Sequence, residues 1–153
     1  MLTRYKTRET RMPQQTTSGH GMYNQTAFVA QLTGRAAEEA ADDYSLDYSL
    51  FGLWHMREAL EQGDQDTVPE AAIQHAALRA RFAGERLRQL SADGESLPQN
   101  TCACGSRYRD RGWKGFNEDR WQVWKDELKE AQGRVSGGTG ELVRAAVEKM
   151  ERL

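Results

Sequence analysis

The sequence has few of the features that mark secreted, membrane-spanning or metal-binding proteins. It contains two cysteines, Cys102 and Cys104, which are too few for a disulfide scaffold. No segment approaches the run of about 18 apolar residues that a membrane span needs. The residues from Met1 to Gly21 carry charges where a signal peptide needs an apolar run. We therefore expect a cytoplasmic protein with reduced thiols and no membrane partner.

The sequence also lacks a strong excess of either charge. Its formal net charge is -2 at pH 7, although 29% of its residues are charged. Domains that bind nucleic acid through phosphate contacts normally carry a clear basic excess. We therefore do not expect a nucleic-acid partner, and any such surface would have to be local.

Hydrophobic residues are scarce as well, at 38% of the chain, which predicts that part of it lies outside a packed core. The first residues are polar and aperiodic, with Pro13 and Gly19 as breakers. We predict a disordered arm over residues 1–22 and a single helical domain over residues 23–153.

Helical spacing of apolar residues recurs after the arm, and no alternating strand pattern accompanies it. The prediction is an all-α, single-domain bundle of about five helices. The first should span residues 24–41, with an apolar face of Phe28, Val29 and Leu32. The second should span residues 47–62.

The third predicted helix is the longest and most central. Asp66 or Thr67 should cap it, and it should reach about Leu90. Its inward row consists of small residues that would let neighbouring helices approach closely: Ala72, Ala76, Ala80, Ala83 and Gly84.

A long loop is predicted over residues 91–115, because that segment shows neither helical nor strand periodicity. Asn117 should then cap the fourth helix and Thr139 the fifth. The inward face of the fifth helix should consist of Leu142, Val143, Ala146, Val147 and Met150.

The segment from Arg107 to Lys125 mixes cations with aromatic residues, including Trp113, Trp121 and Trp124. One interpretation is that the tryptophans form core and the cations are solvated. Two others are a ligand pocket with a charged rim and a surface that stacks bases and holds phosphates.

Candidates for chemistry are sparse. Glu58, if buried beside Trp54, would have a raised pKa suited to acid–base catalysis. With Glu58 as acid, His55 would be the base and Arg120 the anchor for the substrate. Arg57 and Glu61 lie four residues apart on the second helix, so a surface ion pair is the simpler explanation of Arg57.

The candidate ligand-binding residues are Trp54, Arg57, Arg86, Trp113, Trp121 and Trp124. Cys102-Ala103-Cys104 lacks the two-residue spacer and the second ligand pair of a zinc site. The glycines from Gly133 to Gly140 are not followed by the Lys-Ser/Thr of a phosphate loop. We therefore expect neither a metal nor a cofactor.

Three segments together resemble a fungal family of small proteins known as domain of unknown function 3632. They are residues 48–61 (YSLFGLWHMREALE), 82–87 (FAGERL) and 120–125 (RWQVWK). The resemblance would cover about Asn24 to Met150, and it implies an all-helical fold and a fungal source but no activity. Where the family pattern leads us to expect an aromatic residue one helical turn before Ala83-Gly84, this chain has Arg79 and Ala80.

Two hypotheses of function follow. The leading one is a non-catalytic binding or interaction domain for an unknown protein or small molecule, with homo-oligomerisation left open. The alternative is a cofactor-independent isomerase or cyclase of fungal secondary metabolism with a tryptophan-lined pocket. A cavity that holds Trp54, Trp121, Trp124 and a buried Glu58 would favour the enzyme, whereas a filled core would favour the interaction domain.

Overall fold

Five α-helices make up most of the fold in the computed structural model, which describes residues 19–38, 48–97 and 102–153. The helices are α1 (Gly19–Glu38), α2 (Ser49–Leu60), α3 (Glu70–Asp93), α4 (Glu118–Ala131) and α5 (Gly137–Glu151). Short 3₁₀ turns occur at Gln65–Thr67, Ser106–Arg111 and Gln132–Arg134. Within the described ranges, β-structure is limited to two isolated bridges. The predicted all-α bundle of about five helices is confirmed.

The longest helix, α3, lies at the centre and contacts each of the other four. Its row of small residues faces inward, with Ala76, Ala80, Ala83 and Gly84 all buried. The helix continues past the predicted end at Leu90 and stops at Gly94, which adopts a φ of 66°. Glycine suits that left-handed conformation because it has no Cβ to clash with the backbone.

The apolar face predicted for α1 is wrong. Phe28 is 60% exposed, whereas Thr26, Ala30 and Thr33 are buried. The reason is the close approach of α1 to α3: a Cβ at Gly34 would collide with the backbone oxygen of Phe82. Small residues permit this distance, so they take the inward positions and the large Phe28 side chain turns outward.

Helix starts were predicted with mixed success. The Asn117 side chain accepts a hydrogen bond from the Arg120 amide at 2.8 Å, which confirms it as the cap of α4. The predicted cap of α5 is wrong, because Ser136 occupies that position and Thr139 is buried inside the helix. Asp66 and Thr67 form a separate 3₁₀ turn, and α3 follows Pro69.

The segment predicted as a long loop contains more structure than expected. Its start belongs to α3, and Ser106–Arg111 forms a 3₁₀ helix. Antiparallel bridges join Ser96 to Gly115 and Ala103 to Lys114. Residues 98–101 lie outside the described part of the chain.

The boundary predicted between arm and domain falls inside a helix. Residues 19–22 belong to α1, and the remainder of the predicted arm lies outside the described residues, as does the predicted helical tail beyond Glu38. The second helix is shorter than the predicted span of residues 47–62, since α2 begins at Ser49 and ends at Leu60.

One hydrophobic core receives side chains from all five helices and from the segment before α4. The face predicted for α5 is confirmed, because all five of its residues are buried: Leu142, Val143, Ala146, Val147 and Met150. Trp121 and Trp124 of α4 also belong to this core.

Candidate functional site

Arg120 of α4 forms a fully buried ion pair with Glu61, the residue that follows α2. The Arg120 Nε and Nη2 atoms donate to the two carboxylate oxygens at 2.7 and 3.0 Å. Nη1 donates to the carbonyl oxygens of Cys102 and Gly115, and Nη2 also donates to that of Ala103. All five N–H donors of the guanidinium are therefore used. This arrangement leaves none of them for a ligand.

Glu61 is equally well satisfied. Besides Arg120, it accepts hydrogen bonds from the Trp124 indole at 2.6 Å and the Gly105 amide at 2.7 Å. The predicted surface position of Glu61 beside Arg57 is wrong, because its side chain is 0% exposed. Helical spacing alone could not reveal the partner, which lies 59 residues away in the sequence.

The tryptophans of the segment from Arg107 to Lys125 are buried. Trp121 and Trp124 are 2% and 0% exposed. Trp113 is 7% exposed, stacks on Tyr108 and donates its indole N–H to Asp119 at 3.1 Å. Burial raises the pKa of Tyr108 to about 12, and its hydrogen bond to Glu127 acts in the same direction. These residues therefore fill the core and its margin.

Three of the six Arg and Lys residues of the same segment form ion pairs with described residues, and Arg120 is one of them. Arg107 lies 3.0 Å from Glu127, and Arg111 lies 2.9 Å from Asp119. Such pairing lowers the positive potential that a phosphate backbone would meet. The absence of a nucleic-acid partner stays a prediction.

Of the other predicted site residues, Arg57 shares an acceptor with Arg120, the Ala103 carbonyl oxygen. The rest lie against other parts of the fold or are exposed. Trp54 is half-buried and packs edge-on against Phe51, and Glu58 is exposed. Arg57 donates to the Ala103 carbonyl oxygen at 3.5 Å, and Arg86 donates to Gln89 at 3.1 Å. His55 lies in a second hydrogen-bond network, so the structure does not place it with Arg120.

That second network surrounds a cavity of about 330 Å³ between α1, α2 and α3. Apolar side chains from α1 and α2 form much of its wall, namely Met22, Val29 and Phe51. Its nitrogen bases and its cation come from α2 and α3: His55 of α2 with His75 and Arg79 of α3. Gln25, Thr26 and Tyr48 add neutral polar groups. We call this space the Arg79 cavity.

Arg79 is the unusual member of the cavity wall. The residue is 3% exposed, and its Nε donates to His55 Nδ1 at 3.1 Å. Its Nη1 is buried without a hydrogen-bond partner and is the one such side-chain atom in the described residues. None of the described carboxylates forms an ion pair with it, and burial lowers the pKa of Arg79 to about 10. It therefore remains charged at neutral pH.

The two histidines are held close to Arg79. Their rings lie 4.9 Å apart, and His75 Nδ1 shares a hydrogen bond of 2.6 Å with the Thr26 hydroxyl. Burial, with the charge of Arg79 as a second cause, lowers the pKa of His55 to about 4 and also lowers that of His75. His55 is therefore neutral at pH 7.

A larger depression of about 680 Å³ shares Met22 and His75 with the Arg79 cavity. Three of its polar residues are already bonded to one another, since Gln74 donates to Thr139 and Thr139 donates to Glu70. It therefore offers less unmet hydrogen-bonding capacity to a ligand than the Arg79 cavity does.

Sequence reasoning found His55 but missed Arg79 and His75 as site residues. The three residues belong to two helices, so no spacing within one helix brings them together. A signal for Arg79 does exist, because it lies three residues after Ala76 and four before Ala83, on the inward row of α3. A charged residue on a buried stripe points to a special environment.

No group of three or more His, Cys, Asp or Glu that could hold a metal ion is found among the described residues. Cys102 and Cys104 form no disulfide with each other; the first is buried and the second half-buried. Nor does any helix in residues 19–38, 48–97 and 102–153 have both the length and the apolar character needed to cross a membrane.

The fold and the site define an all-α protein with one core, a buried Arg–Glu pair and a separate cavity around an arginine that forms no ion pair with the described residues. The chain belongs to the family described as "Protein of unknown function (DUF3632)", which it matches over residues 3–128. The family resemblance is thus confirmed, although the match starts before Asn24 and ends within α4. No curated protein and no solved structure matches the chain.

Proposed function

We propose that the chain is a non-catalytic binding domain and that it holds a small molecule in the Arg79 cavity. The observation that supports this proposal is the buried Nη1 atom of Arg79, which has no hydrogen-bond partner among the described residues. An uncompensated buried charge costs several kcal/mol, so a protein that keeps one gains something from it. We infer that the gain is the binding of a ligand that accepts a hydrogen bond from this unused N–H group.

The wall of the cavity supports the same proposal. Small-molecule sites are mostly apolar, with a few polar groups that fix the orientation of the ligand. Phe51 and Met22 remain 44% and 52% exposed in the empty cavity. A ligand would cover both side chains and add apolar burial to the polar contact.

The enzyme hypothesis receives less support from the same geometry. His55 lines the cavity, but Glu58 is exposed and Arg120 has no donor left. Trp121 and Trp124 fill the core. An isomerase or cyclase of fungal secondary metabolism therefore stays a prediction without a supporting observation, whereas binding has one.

The proposal is tested by screening a fragment library against the isotope-labelled chain by NMR. Bound fragments should shift the ring signals of His55 and His75 and the methyl signals of Val29. The Arg79→Met variant should lose these shifts, because methionine keeps an unbranched apolar stem but has neither the charge nor the N–H donors of the guanidinium. Without ligand, this variant should unfold at the same or a higher temperature, since it removes an unpaired buried charge.

Arg81→Met is the matched control, because Arg81 is exposed on the same helix. It should bind the same fragments as the unmodified chain. The proposal would be abandoned if no fragment shifted the cavity signals, or if Arg79→Met bound the fragments as well as Arg81→Met does.

A further inference from the structure

We propose that the ligand of the Arg79 cavity is an organic monocarboxylate with an apolar body. This inference rests on the proposed function and adds the chemical class of the ligand. The carboxylate would accept from Arg79 Nη1, and the apolar body would lie against Phe51, Val29 and Met22.

The charge of the cavity supports a single negative charge on the ligand. Its titratable lining groups are Tyr48, His55, His75 and Arg79 among the described residues. His55 is neutral at pH 7, because its pKa lies at about 4, and the pKa of His75 is lowered too. Arg79 thus contributes the one formal charge of these lining groups. The Glu58 carboxylate lies near enough to raise the pKa of His75, but it is exposed and is not part of the lining. A monoanion inside the cavity would neutralise the Arg79 charge.

Hydrogen-bond direction leads to the same ligand class. An arginine Nε can only donate, so His55 Nδ1 must accept from it, and the proton of the neutral ring is on Nε2. Arg79 Nη1 has an unused N–H as well. The cavity therefore presents donors that call for an acceptor, and a carboxylate accepts strongly from a guanidinium.

A phosphate ester would fit less well. Phosphate sites normally combine several donors, such as backbone amides at a helix N-terminus, with more than one cation. Here the described lining has one guanidinium and no second Arg or Lys, and Met22, Val29 and Phe51 form its apolar part beside neutral polar side chains. A ligand with more apolar surface and a single charge fits this lining better than a phosphate ester does.

The test is an NMR titration with apolar monocarboxylates, from hexanoate to 2-naphthoate, each paired with its neutral amide. Inorganic phosphate is titrated separately. The carboxylates should shift the His55, His75 and Val29 signals and bind about tenfold more tightly than their amides, because the hydrogen bond to Arg79 is then charge-assisted. In Arg79→Met the difference within each pair should disappear, while Arg81→Met should retain it.

The outcomes separate this inference from the proposed function. Equal binding of carboxylates and amides, or stronger binding of phosphate, would overturn the ligand class and leave a small-molecule site in place. The class is also wrong if fragments occupy the cavity but none of the carboxylates does. If neither fragments nor carboxylates shift the cavity signals, both proposals fail together.

Discussion

Two buried arginines in this protein have opposite surroundings. Arg120 donates all five of its N–H groups and faces the carboxylate of Glu61. Arg79 donates through Nε to a neutral histidine and leaves Nη1 unbonded. A buried arginine whose N–H groups are all bonded within the protein has a structural role. A buried arginine with an unused N–H group points towards a ligand.

Replacing Glu61 by glutamine should destabilise the fold severely. The change leaves the Arg120 charge buried without its partner, which costs about 3–5 kcal/mol. Urea unfolding followed by tryptophan fluorescence measures the loss. The double variant Glu61→Leu with Arg120→Met should recover only part of it, because it removes both charges but leaves the Trp124 indole, the Gly105 amide and three carbonyl oxygens without these partners.

Glu85→Gln is the control for that prediction. Glu85 pairs with Lys149 at 2.7 Å between α3 and α5, but its side chain is 48% exposed. Exposed pairs contribute up to about 1 kcal/mol, so this variant should stay close to the unmodified chain. Equal effects of Glu85→Gln and Glu61→Gln would contradict the structural role given to the buried pair.

For single residues, the sequence predicts a structural role when that role depends on residues nearby in the chain. Asn117 is recognisable as a cap because the acidic residues of a first helical turn follow it directly. The roles of Glu61 and Arg79 depend on which helices pack against them. Periodicity identifies the buried stripe of a helix but not the residue that faces it from another helix.

At the scale of elements, the contact between α1 and α3 depends on one glycine. Gly34 faces the backbone of Phe82 so closely that a Cβ has no space. Backbone atoms in the middle of a helix cannot move aside as the end of a flexible side chain can. The position of α1, which supplies one wall of the Arg79 cavity, is therefore sensitive to this residue.

Gly34→Ala should destabilise the protein by about 1–3 kcal/mol through this overlap. The control is Gly138→Ala in the first turn of α5, where no atom lies within 4 Å of an added Cβ. Alanine is the better helix former, so that variant should gain up to about 1 kcal/mol. Thermal unfolding by circular dichroism measures both, and a gain in stability for Gly34→Ala would refute the close contact.

Sequence reasoning placed all five helices but not all of their inward faces. The face of α5 was predicted correctly because Leu142, Val143 and Val147 are large, apolar and regularly spaced. The face of α1 was missed because small residues pack there, and an exposed Phe28 has the same pattern as a buried one. Hydrophobic periodicity identifies the buried face of a helix that packs through large apolar side chains. It is misleading for a helix that packs through small residues, whose backbone lies close to the neighbouring helix.

For the molecule as a whole, the residues that match the family and the residues that form the hydrophobic core do not end at the same point of the chain. The match ends at residue 128, before α5 begins. Yet α5 packs on both α3 and α4 and contributes buried residues to the common core. The part of the chain that resembles its family most clearly is thus smaller than the unit that buries the core.

A chain that ends at residue 134 should therefore fail to fold cooperatively. Removal of α5 would expose apolar side chains of α3 and α4 that the full chain buries. Each Å² of apolar surface exposed to water costs about 25 cal/mol of folding free energy. Hydrogen exchange and near-ultraviolet circular dichroism would show the loss of fixed packing. A truncated chain with protection equal to that of the full chain would show that α5 is dispensable.

The Glu61–Arg120 pair also has a consequence for the order in which the chain folds. Its partners lie 59 residues apart, so the pair can form only after a large loop has closed. Both charges must lose water together, which requires α2, α4 and the segment between Cys102 and Phe116 to be nearly in place. We therefore expect the pair to form after the folding barrier, so that it slows unfolding more than it accelerates folding.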